Sequence, residues 1–287
     1  MPSSVAIVTD STSCLPQEEV ERYNIEVVPV NLVHEGRVYR DGLDMTTNEF
    51  YRLLKKAKKL PTTSPASPGD YLEVFRRAAE KARSILCISV SGKLSGMFDS
   101  ARAAAELATE VLPRTTIQVL DSGTAAMAQG FVVLAAARAA RLGDDLQGVM
   151  ETATRIMPRV ELVAVLDTLH YLARGGRVPK VAAWAASILQ IKPILMLSRW
   201  EVGLLERVRT RKKAFSRLVG IMRERVGGNR PLHASVFHAQ ALDQALALQE
   251  EIVREFQPQK LYVTQFTPVM GVHTGPGVVG LAYYAED

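Results

Sequence analysis

The chain is poor in aromatic residues: Phe, Trp and Tyr together make up 6% of its 287 residues. Its core must therefore be built mainly from aliphatic side chains. Cysteine is scarcer still. Cys14 and Cys87 are too few for a disulfide framework or a four-cysteine metal site, and they fit a reducing compartment. The five histidines, at 34, 170, 233, 238 and 273, show no HxxxH or HxH spacing, so no metal centre is indicated. No apolar run reaches the roughly 18 residues that a membrane span needs. Residues 5–8 (VAIV) are followed at once by Asp10, which reads as a buried strand rather than a signal sequence. A cytoplasmic location is the expectation. Neither a GxxxxGK[ST] loop nor a GxGxxG turn opening a helix is present, so no nucleotide site is indicated.

What is present is the balance of a soluble globular protein, 47% hydrophobic and 23% charged, in a length that suits two domains. The formal charge is +5. Part of it sits in Arg207, Arg209, Arg211, Lys212, Lys213 and Arg217. That run is either a solvated strand edge and helix start or a docking surface for an acidic partner or nucleic acid. The regular interleaving of aromatic and basic side chains that favours nucleic acid is missing, and no nucleic-acid partner is expected.

Strand, turn and helix repeat along the first half. Strands are expected at 5–9, 25–33, 84–90 and 116–120, with 36–40 as the return arm of a ribbon. Thr46 and Glu49 form a capping box for a helix reaching about Lys59. Residues 61–67 (PTTSPAS) read as a loop, after which Ser67 caps a helix with Pro68 at its first position. Helices are expected at 96–110 and 124–141. This order predicts an α/β domain, residues 1–150, with a mostly parallel sheet covered by helices on both faces and a small β-ribbon insertion. A second, α+β domain is expected over 151–287, the boundary falling near 145–158. Its paired strands at 193–198 and 202–209 favour a mixed or antiparallel sheet. Helices are expected at 145–157, 179–189, 211–226 and 240–256, strands at 160–166, 231–237 and 260–265, and loops at 174–177 and 266–277.

Ligands of open α/β sheets bind at the carboxyl ends of the strands. Three turns open there, DSTS at 10–13, SGKLSG at 91–96 and DSGT at 121–124, all small and hydroxyl-rich. Ser95 stands just before a helix, where its hydroxyl and the free first-turn N–H groups suit an anion. A plain N-cap explains the same serine. Thr62-Thr63-Ser64 is either a hydroxyl-bearing site loop or a stiff connection. His273 and Thr274 lie between Gly271 and Gly275, an unusual setting for residues that only pack. Asp10 and Asp121 end strands, and such residues commonly accept N–H bonds in the following turn. The residue types for a serine hydrolase exist in Ser95, His273 and either aspartate, although no GxSxG elbow is present.

The pieces resemble the DegV family when taken together: Val8-Thr9-Asp10-Ser11-Thr12, Tyr39-Arg40-Asp41-Gly42, Leu60-Pro61-Thr62-Thr63-Ser64, Ser67-Pro68-Gly69, Leu94-Ser95-Gly96, Gly175-Gly176-Arg177, Lys192-Pro193-Ile194 and His273-Thr274-Gly275-Pro276-Gly277. The resemblance runs over essentially the whole chain. It implies a lipid-binding protein without catalysis of its own, holding a long-chain fatty acid such as palmitate in a tunnel between two domains. It also implies a possible role as the lipid-presenting subunit of a fatty acid kinase, whose ATP site lies on a separate protein. By this resemblance Thr63, Ser64, Ser95, His273 and Thr274 hold the carboxylate, and Arg177 stands near the tunnel mouth or the kinase contact. No cofactor and no metal are implied. Two departures bear on the tunnel lining: Pro65 replaces a frequent Gln, and Met97-Phe98-Asp99 replaces a Thr-Tyr-Gln run. Apolar stretches such as 131–137 and 181–189 are candidates for the wall or for ordinary core.

Overall fold

Val5–Asp10 (β1) is almost wholly buried, and every strand beside it runs parallel. The computed structural model describes residues 4–181, 191–198, 201–226 and 230–286. Glu26–Val28 (β2), Ser84–Ser89 (β6) and Thr116–Asp121 (β7) join β1 in a four-stranded parallel sheet of order β2-β1-β6-β7. Parallel neighbours need crossovers. Gln17–Tyr23 (α1), Pro68–Ala79 (α3) and Met97–Val111 (α4) supply them. Tyr71, Phe75, Met97 and Ala101 cover one face of the sheet, against Val8, Ile85 and Cys87. The long helix Ala126–Leu142 (α5), with Leu146–Ile156 (α6) packed on it, covers the other face, against Ile7, Leu86 and Ile88. Asn31–His34 (β3), Arg37–Arg40 (β4) and Thr62–Ser64 (β5) make a small antiparallel ribbon of order β4-β3-β5, carrying Thr47–Lys56 (α2) between its last two strands.

The second sheet has six strands: Glu161–Val165 (β8), Lys192–Ser198 (β9), Glu201–Val208 (β10), Leu232–His238 (β11), Lys260–Gln265 (β12) and Val279–Ala285 (β13). Their order is β10-β9-β8-β13-β11-β12, and only the β11–β12 pair is parallel. Alternation of side chains divides its two faces. Val163, Val165, Val236, Val279 and Leu281 pack with buried side chains of Arg211–Arg225 (α8) and Leu242–Phe256 (α9). Ala164, Leu195, Phe237 and Ala282 face the other way, into the core shared with α5 and β6. The face of the mixed sheet thus closes over the carboxyl edge of the parallel sheet.

The expected capping box of Thr46 and Glu49 forms, and Ser67 caps its helix as expected, in a reciprocal box with Asp70. Five expectations change. Residues 25–33 are two strands, because β2 ends before Pro29 and the chain turns there into the ribbon. Thr62–Ser64 is strand β5, not loop, since β3 offers it an edge to pair with. Pro268–Thr274 (α10) is a short helix within the supposed loop 266–277; Pro268 starts it and Gly275 ends it. Strand β13 was not expected, yet it lies in the middle of the second sheet. Arg174 and Gly175, expected in a loop at 174–177, instead end the short helix His170–Gly175 (α7). The helix expected at 179–189 falls largely outside the described residues, as does most of the candidate wall 181–189. Among the described residues no helix is long and apolar enough to cross a membrane.

Candidate functional site

A cavity lies where the two sheets meet, enclosing about 970 Å³ of empty space including its open mouth. The turns after the parallel strands supply one side: Thr12 after β1, Val30 after β2, Val90 after β6, and Ala125 and Ala126 after β7. The mixed sheet supplies the other through Leu162, Ala164, Leu195, Leu197 and Phe237. Along a third side runs α10 with Val269, Met270, His273 and Thr274. The wall is apolar apart from six side chains, Thr12, Thr63, Ser95, Arg177, His273 and Thr274.

Five of the six candidate residues therefore line one space. Thr63 comes from β5, Ser95 from the turn before α4, and His273 from the last turn of α10. The Thr63 hydroxyl and His273 Nε2 are 2.9 Å apart. Burial, reinforced by the positive Arg177, lowers the His273 pKa to about 4, so the imidazole is neutral at neutral pH. His273 Nδ1 is buried without a hydrogen-bond partner. A Cβ on Gly175 would lie 2.7 Å from that nitrogen, so the backbone of α7 packs directly on the ring. A proton on Nδ1 would be an unsatisfied buried donor. The tautomer with its proton on Nε2 avoids this, and then His273 donates to Thr63. The Thr63 hydroxyl hydrogen is left free to donate into the cavity.

Ser95 precedes Gly96, the N-cap position of α4, and its hydroxyl oxygen accepts a long 3.4 Å bond from the Met97 amide. Its own hydrogen has no partner in the protein among the described contacts, so it too can donate to an anion. The Thr274 hydroxyl donates to the Met270 carbonyl at 2.9 Å, which leaves it only acceptor capacity. Arg177 donates to the Gly175 carbonyl at 2.8 Å and is the one charged side chain of the lining. Ser64 is different. The pleat turns it to the opposite face of β5 from Thr63, and it is not among the lining residues. Thr12 was not singled out beforehand. The signal was its place in the DSTS turn at the carboxyl end of β1.

Asp10 and Asp121 serve their turns. Asp10 accepts from the Val90 amide at 2.8 Å and the Thr12 amide at 3.1 Å, and Asp121 accepts from the Gly123 amide at 2.8 Å. Neither reaches His273, so the orienting carboxylate of a serine-hydrolase triad is absent among the described residues. No group of three or more metal-ligating His, Cys, Asp or Glu side chains occurs among the described residues either. The two departures from the family pattern stay out of the lining: Pro65 packs within 3.3 Å of where a Gly96 Cβ would be, and the Met97 sulfur accepts from the Ala66 amide at 3.1 Å. Of the basic run, Arg211 is tied to Asp167 and Gln244, and Arg217 to Glu206 and Glu224.

A family model described as "Uncharacterised protein, DegV family" matches residues 4–286. The chain belongs to the DegV family. A DegV domain-containing protein of Streptomyces coelicolor is 37% identical over 284 residues, with 98% of each chain covered. Among solved structures, a DegV family protein from Thermus thermophilus described for its fatty acid binding is 32% identical, with a TM-score of 0.91 over 99% of this chain and 100% of that one. A stearic-acid-binding protein from Eubacterium ventriosum is 27% identical, with a TM-score of 0.90 and 98% of each chain covered. Both solved structures share this fold over nearly the whole chain.

Proposed function

We propose that this DegV protein binds one long-chain fatty acid, such as palmitate, with its carboxylate at Thr63, Ser95 and His273 and its tail in the aliphatic cavity. The observation that carries this reading is the make-up of the lining: the paired Thr63 and His273, with Ser95, offer neutral polar groups, and apolar side chains make up nearly all the rest. The fatty-acid-binding descriptions of the Thermus and Eubacterium neighbours support it. Each methylene moved from water contributes about 0.8 kcal/mol, so a C16 tail contributes on the order of 10 kcal/mol before ordering costs. Thr63 and Ser95 donate to the carboxylate. His273 stays neutral and holds the Thr63 oxygen, fixing the direction of its O–H. Ser64 acts through the strand backbone rather than by contact, and Arg177 stands at the mouth.

The further reading is that the protein performs no chemistry alone and presents the carboxylate to the catalytic subunit of a fatty acid kinase. In that reaction a carboxylate oxygen takes the γ-phosphoryl group of ATP, and ADP and an acyl phosphate result. The division into a 1–150 unit with the head loops and a 151–287 unit that closes the tunnel goes with this proposal, as does a cytoplasmic location. Mass spectrometry of lipid extracted from the denatured protein tests the binding step. One fatty acid per chain is expected; no lipid after gentle purification would overturn it.

A further inference from the structure

The ribbon β4-β3-β5 touches α10 at both of its ends. At the carboxyl end of the helix, Thr63 of β5 meets His273 at 2.9 Å. At the amino end, Asp41, the residue after β4, accepts from the Val269 amide through Oδ1 at 3.2 Å. Asp41 is itself tied back to the ribbon, its amide donating to the Val30 carbonyl at 2.9 Å. Thr267 occupies the N-cap position of α10 but makes no side-chain bond into the first turn. Asp41, far away in sequence, takes over that task.

The setting of Asp41 is unusual for a helix cap. It is 4% exposed, whereas caps commonly sit in water. Its Oδ2, the Thr267 hydroxyl and the Tyr51 hydroxyl are all buried without a well-formed hydrogen bond. The Tyr51 hydroxyl belongs to α2 and lies 2.7 Å from where a Cβ of Gly271 would stand, so α2 presses on the middle of α10. Such a carboxylate is a high-stakes group: a partner helix placed well stabilises it, and one displaced leaves it stranded.

We infer that Asp41 is a positioning residue of the fatty-acid site, its carboxylate anchoring the start of α10 so that His273, at the other end, stays within reach of Thr63. This rests on the proposed carboxylate site and names a control on it. The titratable groups facing Asp41 are Asp10 from β1, Cys14 from the turn after it, and Tyr51 from α2. Burial raises Asp10, pushes the Cys14 thiol up to about 12, and raises Tyr51 further from its ordinary value. Burial raises Asp41 to about 6, with the Ser11 and Thr267 hydroxyls and the Val269 amide opposing it. Asp41, at about 6, changes charge just below neutral pH. Charged, it holds the N-terminal amide of α10 as a carboxylate; protonated, it holds it as a neutral carbonyl, which is the weaker grip.

The test compares Asp41→Asn with the wild type for palmitate affinity at pH 7.5 and pH 5. Palmitate ionisation affects both proteins alike, so their ratio isolates Asp41. The variant should bind roughly fivefold to tenfold more weakly at pH 7.5, the size of a charge-assisted bond at a helix start, and the two should converge at pH 5. Equal affinity at both pH values, or the same deficit at both, would overturn the inference. In a Thr63→Val background Asp41→Asn should cost little more, because the contact it supports is already gone; full additivity would count against it. A second readout needs neither ligand nor variant. The His273 imidazole ¹⁵N shift of the wild type should follow an inflection near the Asp41 pKa of about 6. A shift that moves only with the imidazole's own titration would sink the proposal. If palmitate does not bind at all while this inflection appears, the fatty-acid reading fails and the link from Asp41 to His273 stands.

Discussion

The two sheets meet the cavity in different ways. The parallel sheet offers an edge, where β1, β2, β6 and β7 end in turns that bring hydroxyls such as those of Thr12 and Ser95 to the cavity. The mixed sheet offers a face, where alternate residues such as Leu162, Ala164, Leu195 and Phe237 stand side by side. An edge supplies directional donors at few points, and a face supplies area without direction. A fatty acid needs both, and the proposed site falls between the sheets and in neither alone.

Damage to the face should have the largest effect. Ala164, 7% exposed and set in β8, leaves space for a ligand that a larger side chain would take. Ala164→Phe should displace about four methylenes of the tail, costing about 3 kcal/mol, or on the order of a hundredfold in palmitate affinity. Fluorescence displacement measures this, with circular dichroism to show that the sheet persists. Damage to the edge should be smaller. Thr63→Val removes a donor and strands the His273 Nε2–H, so about a tenfold loss is expected by the same titration. Ser95→Ala should cost about fivefold. Ser91→Ala should cost nothing measurable, because the Ser91 hydroxyl is buried and turned to the Lys93 amide at 3.4 Å. Equal losses in the two serine variants would remove Ser95 from the site.

The smallest effect concerns stability. His273 has its pKa lowered to about 4 by burial, so the unfolded chain binds its proton more readily. Stability from this residue is present above its ordinary pKa of about 6.5 and is lost as pH falls towards 4. Asp41 works in the opposite sense: its pKa is raised to about 6, so its burial costs stability at neutral pH and that cost is relieved as pH falls. Urea midpoints between pH 7 and pH 4 should therefore drop more steeply in Asp41→Asn than in the wild type. Parallel profiles would show that Asp41 does not titrate in this range.

The same contrast explains what could be read from the sequence. The first half is legible because most of its strands are short apolar runs ending in a turn, and α2 and α3 carry their own start signals at Thr46 and Ser67. The exceptions depend on distant partners. Thr62–Ser64 has the look of a loop and becomes strand only because β3 lies beside it. His273 sits between glycines that suggest a loop, and the start of α10 there is held by Asp41 from more than two hundred residues away. Strand β13 hides behind Gly280, whose missing Cβ makes room for the Phe237 ring. Ser95 had a physical case of its own from its place before a helix. Thr63 and His273 were joined to it only by family resemblance, and the bond between them spans 210 positions. Asp41 carries no mark of the site in its own stretch of sequence, since nothing local ties it to α10.

The central claim is that a carboxylate sits at Thr63, Ser95 and His273. Carbon-13 NMR of palmitate labelled at its carboxyl carbon tests it most directly. Bound to the wild-type protein, the label should give one resonance, displaced from that of free palmitate and in slow exchange with it, and Ser95→Ala or Thr63→Val should move it while Ser91→Ala leaves it in place. A bound resonance indifferent to all three substitutions would contradict the account.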